Sequence, residues 1–211
     1  MTALMGCQTF SKNANQDNYK GLSIGEVGSA HGQWTGKALI RNRQTQESGR
    51  LQLDIVAIEP GQMRIEALGA FGVHVASVAL NGGQIQYALT REKKFVSAPA
   101  AQLSFARLIR VDLSVADFMK LLFDRRFDRS NWNCRRGTKG EPMVEECVTQ
   151  SGNLSLIWTE KEGPRRRLEL RSQQMEVQLI LEDVPTKVEV HPEMFKLVPP
   201  PGYRRQIMSK H

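Results

Sequence analysis

Residues 62–90, QMRIEALGAFGVHVASVALNGGQIQYALT, carry the clearest structural pattern in the chain. Apolar and polar side chains alternate over 62–67, and this period of two predicts a β-strand with one apolar face. Two further apolar segments follow at 73–80 and 84–90. They are joined by Asn81-Gly82-Gly83, and Asn-Gly favours the positive-φ backbone of a tight hairpin turn. The stretch therefore predicts consecutive antiparallel strands.

The same alternation recurs on both sides of this stretch and predicts a mainly β fold of the α+β class. Further alternating segments lie at 34–40, 51–55, 154–158, 168–170, 175–181 and 188–190. Short turns rather than helices join most of them, which predicts antiparallel neighbours. A meander of about 9–11 strands should curl, so we expect an unclosed antiparallel β-barrel.

Helical spacing replaces the alternation between 113 and 123 and predicts one amphipathic helix. Its apolar positions, at i, i+3, i+4 and i+7, are Val115, Phe118, Met119 and Leu122. Ser114 is placed to cap the helix, and Asp117 to complement the amide groups of its first turn. If the helix plugs the barrel, the interior is ordinary core. If the helix lies over the mouth as a lid, the interior can hold an apolar guest.

The organisation of the chain favours one domain behind a polar lead-in. Its 211 residues approximate one ordinary domain, and 40% hydrophobic residues are enough for a sizeable core. Few large apolar side chains occur over 8–31, so we expect a tether there. We assign 1–32 to the lead-in and 33–211 to a single domain. No apolar run reaches the roughly 18 residues that a membrane-spanning helix needs.

The charge balance favours anionic partners. There are 29 lysine and arginine residues against 22 acidic ones, a net charge of +7, which suits phospholipid, nucleic acid or an acidic protein. The basic clusters at 125–126, 135–136, 165–167 and 204–205 are dispersed among acidic residues. They lack the interleaved aromatic side chains that stack bases. We therefore expect no nucleic-acid partner.

The chain lacks the residue patterns of common catalytic and metal sites. Four histidines are scattered, and none stands at a metal-ligand spacing from another histidine or a cysteine pair. No phosphate-binding glycine loop, no Gly-x-Ser-x-Gly elbow and no distinctive carboxylate pair occurs. We predict a protein that is not an enzyme and that uses no metal or other cofactor.

The three cysteines fall into two groups. Cys134 and Cys147 flank a turn-rich stretch that could return the chain, so a disulfide would fit and would imply an oxidising compartment. Two free thiols are the alternative. Cys7 ends the sequence LMGC, which has the Leu-x-Gly-Cys pattern of bacterial lipoprotein cleavage sites. We interpret 1–6 as a truncated signal remnant and Cys7 as a lipidation site.

Four consecutive features of the chain resemble the LolB family of outer-membrane lipoprotein receptors, which is related to the periplasmic carrier LolA. They are the sequence 64–80, the Asn81-Gly82-Gly83 turn, the strand after it and the helix at 111–122. The resemblance covers roughly 33–190. In that family a similar strand, an Asn-Pro-Leu-Gly loop, another strand and a helix follow in this order. Here Gly69-Ala70-Phe71-Gly72 takes the place of the loop, with alanine and phenylalanine instead of proline and leucine. The cysteine pair is not a family feature.

The resemblance implies an unclosed barrel with a helical lid over an apolar cavity for acyl chains. Phe71 matches the exposed leucine with which LolB proteins touch the membrane, so 69–72 would be a membrane-insertion loop. The predicted helix would be the lid. Strand alternation supplies the candidate residues of the cavity wall, which are Trp34, Ile40, Leu53, Ile55, Ile65, Ile85, Tyr87, Leu156, Trp158, Val177 and Leu179.

The implied function is that of a monomeric, lipid-anchored receptor on the periplasmic face of the outer membrane. It would accept acylated lipoproteins from a LolA-like periplasmic carrier and deliver them to the outer-membrane lipid surface, as a chaperone in lipoprotein localisation. Two alternatives stay open. One is a LolA-like periplasmic carrier, and the other is a structural envelope lipoprotein with a closed core.

Overall fold

The computed structural model describes residues 30–136, 145–160, 164–184 and 189–208. In these ranges the fold is one twelve-stranded sheet with a two-turn helix and a single helical turn. The helical turn is α1 (Ala106–Ile109) and the longer helix is α2 (Val115–Leu122). The strands are β1 (His31–Asn42), β2 (Ser48–Ile58), β3 (Gln62–Leu68), β4 (His74–Asn81), β5 (Gln84–Leu89), β6 (Lys94–Pro99), β7 (Trp132–Arg136), β8 (Glu145–Thr149), β9 (Leu154–Glu160), β10 (Arg165–Ser172), β11 (Met175–Asp183) and β12 (Arg204–Ile207).

The sheet consists of two meanders that meet at β1. The strand order is β12-β6-β5-β4-β3-β2-β1-β11-β10-β9-β8-β7. β1 pairs with β2 on one side and with β11 on the other, antiparallel in both cases. Among the described residues β12 and β7 are the edge strands and do not pair with each other, so the sheet is unclosed. The predicted mainly β class is confirmed.

The structure corrects the predicted strand set. Twelve strands occur in the described residues instead of about 9–11, and β12 runs parallel to β6. β6 does not show the period-two pattern, because two consecutive residues of this strand, Phe95 and Val96, are both buried. β12 is a short, polar edge strand with little apolar signal. The predicted strand at 188–190 is wrong for 189 and 190, which are irregular, while 188 lies outside the described residues.

The two faces of the sheet each carry a core. On the inner face, apolar side chains of β1–β11 pack against the helical region between β6 and β7. On the outer face, the segment 189–203 crosses the sheet, and its Phe195 packs with Val56 and Ile58. Leu197 of the same segment packs in a second outer cluster with residues of β4, β5 and β6. The inner face therefore holds the larger core and the helices.

Candidate functional site

A cavity of about 320 Å³ lies between the inner face of the sheet and the helical region. Strands β1–β5, β10 and β11 form one side, and Phe105, Leu113 and Phe118 contribute to the other. Except for Arg91 and Glu92, in the turn between β5 and β6, all side chains that line it are apolar. Away from that turn the lining offers no side-chain hydrogen bonds to a polar ligand, so this part of the cavity suits hydrocarbon.

All eleven candidate wall residues lie in the inner-face core. Those that line the cavity directly are Ile40, Leu53, Ile65, Val177 and Leu179. Those that are buried in the core without lining it are Trp34, Ile55, Ile85, Tyr87, Leu156 and Trp158. Alternation assigns a residue to a face of the sheet, but it does not say which part of that face the helices fill.

Helix α2 closes one side of the cavity. Ser114 Oγ accepts a hydrogen bond from the Asp117 amide at 3.0 Å and donates one to Asp117 Oδ2 at 2.7 Å, so the predicted cap is present. The ring of Phe118 lies 4.9 Å from that of Phe105, centroid to centroid. The four apolar positions of the predicted lid are all buried, namely Val115, Phe118, Met119 and Leu122. The apolar stripe of α2 therefore packs on the sheet.

A buried cation fastens the end of α2 to the sheet. Arg166 is 3% exposed and donates to the carbonyl of Leu122, the last residue of the helix, at 2.6 Å. It also donates to Asp183 Oδ1 at 2.6 Å, and its guanidinium lies 5.5 Å from the Trp34 ring centroid. A run of three arginines is typical of an exposed segment, but Arg166 is buried. Its alternation with Leu168 on β10 is the signal that places it on the inner face.

The connection between β3 and β4 holds an aromatic side chain in solvent. Ala70–Gly72 form a single 3₁₀ turn, in which the Val73 amide donates to the Ala70 carbonyl at 3.2 Å, and a 2.7 Å hydrogen bond from the Gly69 amide to the Val73 carbonyl closes the loop around it. Phe71 has φ 58° and ψ 24°, a left-handed conformation that is uncommon for a bulky residue. Its relative exposure is 104%. An aromatic ring that is fully exposed on a strained turn is a candidate contact residue.

This loop stands beside the cavity. Val73 is 62% exposed, and Val75, two residues further along, lines the cavity while remaining partly exposed. Leu89 and Arg91, at the end of β5 and in the turn that follows, line the cavity at the same end of the sheet. Apolar side chains thus lead from Phe71 to the cavity wall.

A polar network lies at the base of the same loop. Glu66 Oε2 accepts a 2.6 Å hydrogen bond from Ser77 Oγ and lies 2.8 Å from His74 Nε2. Burial acts to raise the pKa of Glu66, but the Ser77 and His74 hydrogen bonds and the charge of Arg64 outweigh it and lower the pKa. Ser77 Oγ contacts the same nitrogen of His74, at 3.0 Å, while Nδ1 contacts Thr90. In a catalytic triad the nucleophile and the acid contact opposite nitrogens, so this arrangement is not a triad.

The two central cysteines are bonded. Cys134 and Cys147 are directly opposed on β7 and β8 and form a disulfide. A carboxylate oxygen of Glu145 lies within 4.8 Å of both sulfurs, which makes this the one group of three potential metal ligands in the described part of the chain. Because thiolates are the cysteine ligands of metals, the disulfide form offers none. The predicted lipidation site, Cys7, and the predicted tether up to residue 29 lie outside the described residues, whereas His31 and Gly32, assigned above to the lead-in, form the start of β1.

The rest of the molecule adds two observations. Across the described ranges, no helix is both long and apolar enough to span a membrane. Neither the known protein-family models nor the curated proteins include a match to this chain.

Proposed function

We propose that the protein is an outer-membrane lipoprotein receptor of the LolB kind, which accepts acylated lipoproteins from a periplasmic carrier and delivers them to the membrane. The observation that carries the proposal is an apolar cavity of about 320 Å³ beside a fully exposed aromatic loop. In this proposal the sheet acts as an open barrel, and α1 and α2 act as its lid. An acyl chain would occupy the cavity, and Phe71 would touch the bilayer.

The cavity wall suits the chemistry of an acyl chain. Each methylene transferred from water to apolar surroundings gains about 0.8 kcal/mol and needs no directional partner. Ile65 on β3 and Val177 and Leu179 on β11 offer such surroundings. A lipoprotein with several acyl chains needs this kind of shielding in an aqueous compartment, because its chains otherwise stay in the membrane. Binding and release require no covalent step.

The size of the cavity implies that the lid moves. About 320 Å³ is at the lower end of the roughly 300–1,000 Å³ typical of small-ligand sites. More than one chain would need space that Phe105, Leu113 and Phe118 now border. Helix α2 has only eight residues and is held to the sheet at its C-terminal end by Arg166, so a swing of its other end away from the sheet would widen the cavity.

Phe71 is the proposed membrane contact. An exposed aromatic ring leaves apolar area in water, and this area is favourably buried when the ring meets an apolar partner. At the headgroup level of a bilayer the ring would find that partner, and Val73 would follow it. Since Val75 lines both the approach and the cavity, membrane contact at the loop would bring the cavity close to the lipid.

Two cysteine features support an envelope location. The Cys134–Cys147 disulfide suits an oxidising compartment such as the periplasm. Lipidation of Cys7 would hold the protein on the periplasmic face of the outer membrane. Mass spectrometry of protein purified from membranes tests the anchor. A diacylglyceryl group on Cys7 is expected, and an unmodified mature protein would favour the soluble-carrier alternative.

The second candidate is a structural envelope lipoprotein whose interior is only core. One observation favours it, since six of the eleven candidate wall residues are buried without lining the cavity. The two candidates differ in one property that is simple to measure. A receptor must bind acyl chains, whereas a scaffold with a closed core has no reason to do so.

Two variants separate acyl-chain binding from delivery. Ala67→Phe places a ring in the cavity, because Ala67 lines it, and should abolish binding of a fluorescent fatty acid. Phe71→Glu changes a residue outside the cavity wall and should keep this binding while impairing transfer of an acylated lipoprotein into liposomes. Val198→Glu is the matched control, since Val198 is also exposed, at 84%, but lies in the segment on the outer face.

The outcomes distinguish the candidates. Unchanged transfer by Phe71→Glu would remove the membrane role of the loop. If the folded wild-type protein binds no acylated ligand, the receptor proposal fails and the scaffold is favoured. Circular dichroism and denaturant unfolding of each variant check that a loss of binding is not a loss of fold.

A further inference from the structure

The outer face of the sheet carries a groove beside the exposed loop. Its volume is about 940 Å³, and side chains of β1, β2, β9, β10 and β11 form it. Lys37 and Arg167 lie on either side of Ile180 in neighbouring strands. Arg50 lies opposite Leu39. We call this surface, with three exposed cations around two apolar side chains, the cationic groove.

The positive charge of the cationic groove is not neutralised within the described structure. The ion pairs that the described residues form include neither Lys37 nor Arg50 nor Arg167. Glu169 is the one acidic residue that lines the groove. It accepts a 2.9 Å hydrogen bond from Nη2 of Arg171, so its charge is already paired. The groove is therefore free to attract an anion.

The cationic groove and the Phe71 loop form one continuous surface. Gly69 and Ala70 line the groove and directly precede Phe71. An exposed aromatic ring therefore stands at the rim of a cationic depression. Reversible membrane binding commonly combines these two elements, because an apolar anchor alone is marginal and basic residues add attraction to anionic lipid.

We propose that this surface binds a bilayer that contains anionic phospholipid, with Phe71 at headgroup level and the cationic groove against the lipid phosphates. The inference rests on the proposed function and adds a lipid class and an orientation to its membrane contact. Nucleic acid is disfavoured because no aromatic side chain lines the groove itself, and the single ring at its rim, Phe71, does not form the row of platforms on which successive bases stack. A free phosphate is disfavoured because Leu39 and Ile180, which offer no side-chain donors, lie among the cations.

Liposome flotation tests the proposal with the full chain. The two vesicle types are phosphatidylcholine alone and phosphatidylcholine with phosphatidylglycerol. Lys37→Gln and Arg167→Gln should each weaken binding to the anionic vesicles by about fivefold, and together by about 25-fold, without changing binding to neutral vesicles. Phe71→Ala should weaken binding to both types. Added salt should reduce only the preference for anionic vesicles.

Arg126→Gln is the matched control. Arg126 is exposed and adjoins Arg125, which pairs with Glu59 beyond the far end of β2. It should bind both vesicle types like the wild-type protein. A loss as large as that of Lys37→Gln would show that net charge alone acts and would overturn the proposal. Equal binding of the wild-type protein to both vesicle types would also overturn it and leave an acidic protein as the occupant.

Fatty-acid binding by the same preparations separates this inference from the proposed function. If a fatty acid binds but the vesicles show no charge preference, only the cationic groove proposal fails. If the charge preference and its loss in the variants are found but no fatty acid binds, the lipid surface stands and the receptor function fails.

Discussion

Replacing Arg166 by methionine keeps an unbranched side chain in the core but removes the hydrogen bond that joins the end of α2 to the sheet and the two bonds to the carboxylates of Asp124 and Asp183. The bonds to the Leu122 carbonyl and to Asp183 Oδ1 are both 2.6 Å long. Bonds to charged groups contribute about 1.5–3 kcal/mol each. Solvent screens the bond to Asp183, because Asp183 is 46% exposed, and this reduces its contribution. The variant also removes the Nε of Arg166, which is buried without a hydrogen-bond partner in the described structure, and this offsets part of the loss. We expect the free energy of unfolding to fall by about 2–3 kcal/mol.

Urea unfolding at neutral pH, followed by tryptophan fluorescence, measures this loss. The midpoint should fall while the m-value stays the same, since the surface exposed on unfolding is little changed. Arg165→Met is the control, because the pair of Arg165 with Glu182 is 3.6 Å long and exposed, and should cost less than about 1 kcal/mol. An Arg166→Met variant as stable as the wild-type protein would refute the reasoning. In that case the apolar stripe alone holds the helix.

Three further changes test other parts of the fold. Glu66→Gln should lower the free energy of unfolding at neutral pH, and this loss should shrink as the pH falls. The reason is that the carboxyl of Glu66, whose folded-state pKa lies below the ordinary 4.5, stabilises the fold only while it is ionised. Denaturant unfolding over a pH series checks this, and a loss that does not change with pH would contradict it. Reducing the Cys134–Cys147 disulfide should lower the free energy of unfolding by about 3 kcal/mol, because the bond closes a loop with a sequence separation of 13 and so restricts the unfolded chain. Calorimetry with and without reductant measures this loss, and an unchanged unfolding transition would contradict the prediction. Ser114→Ala should cost about 1 kcal/mol and Ser114→Thr less; equal losses in urea unfolding would show that the hydroxyl does not act as the cap.

The sheet could be predicted from the sequence wherever one face of a strand meets solvent or polar side chains. Alternation over 62–67 located β3 because its outward residues are polar. The same reasoning missed β6, since the C-terminal segment covers its outer face and makes Phe95 as buried as Val96. β12 is an edge strand of four residues, mostly polar and exposed, so it carries no alternation that could have been recognised.

The candidate site was predictable in part. Gly69 and Gly72 flank Phe71 in the sequence, a pattern typical of a turn, and the structure leaves that ring exposed. Alternation placed Trp34 and Leu179 on the same face, but only Leu179 lines the cavity, because the filling of that face depends on helices far away in sequence. The buried Arg166 was hidden by its two basic neighbours. The cationic groove could not be predicted, since it joins side chains of five strands.

Methyl-resolved NMR with a bound fatty acid asks whether hydrocarbon enters the interior of the sheet. Intermolecular NOEs from the chain methylenes to the methyl groups of Ile65, Val177 and Leu179 are expected, because all three line the cavity. Methyl groups of Val198, on the outer face, should show none. Saturating fatty acid that leaves the three cavity residues without NOEs and without chemical-shift changes would contradict the proposal that this cavity receives acyl chains.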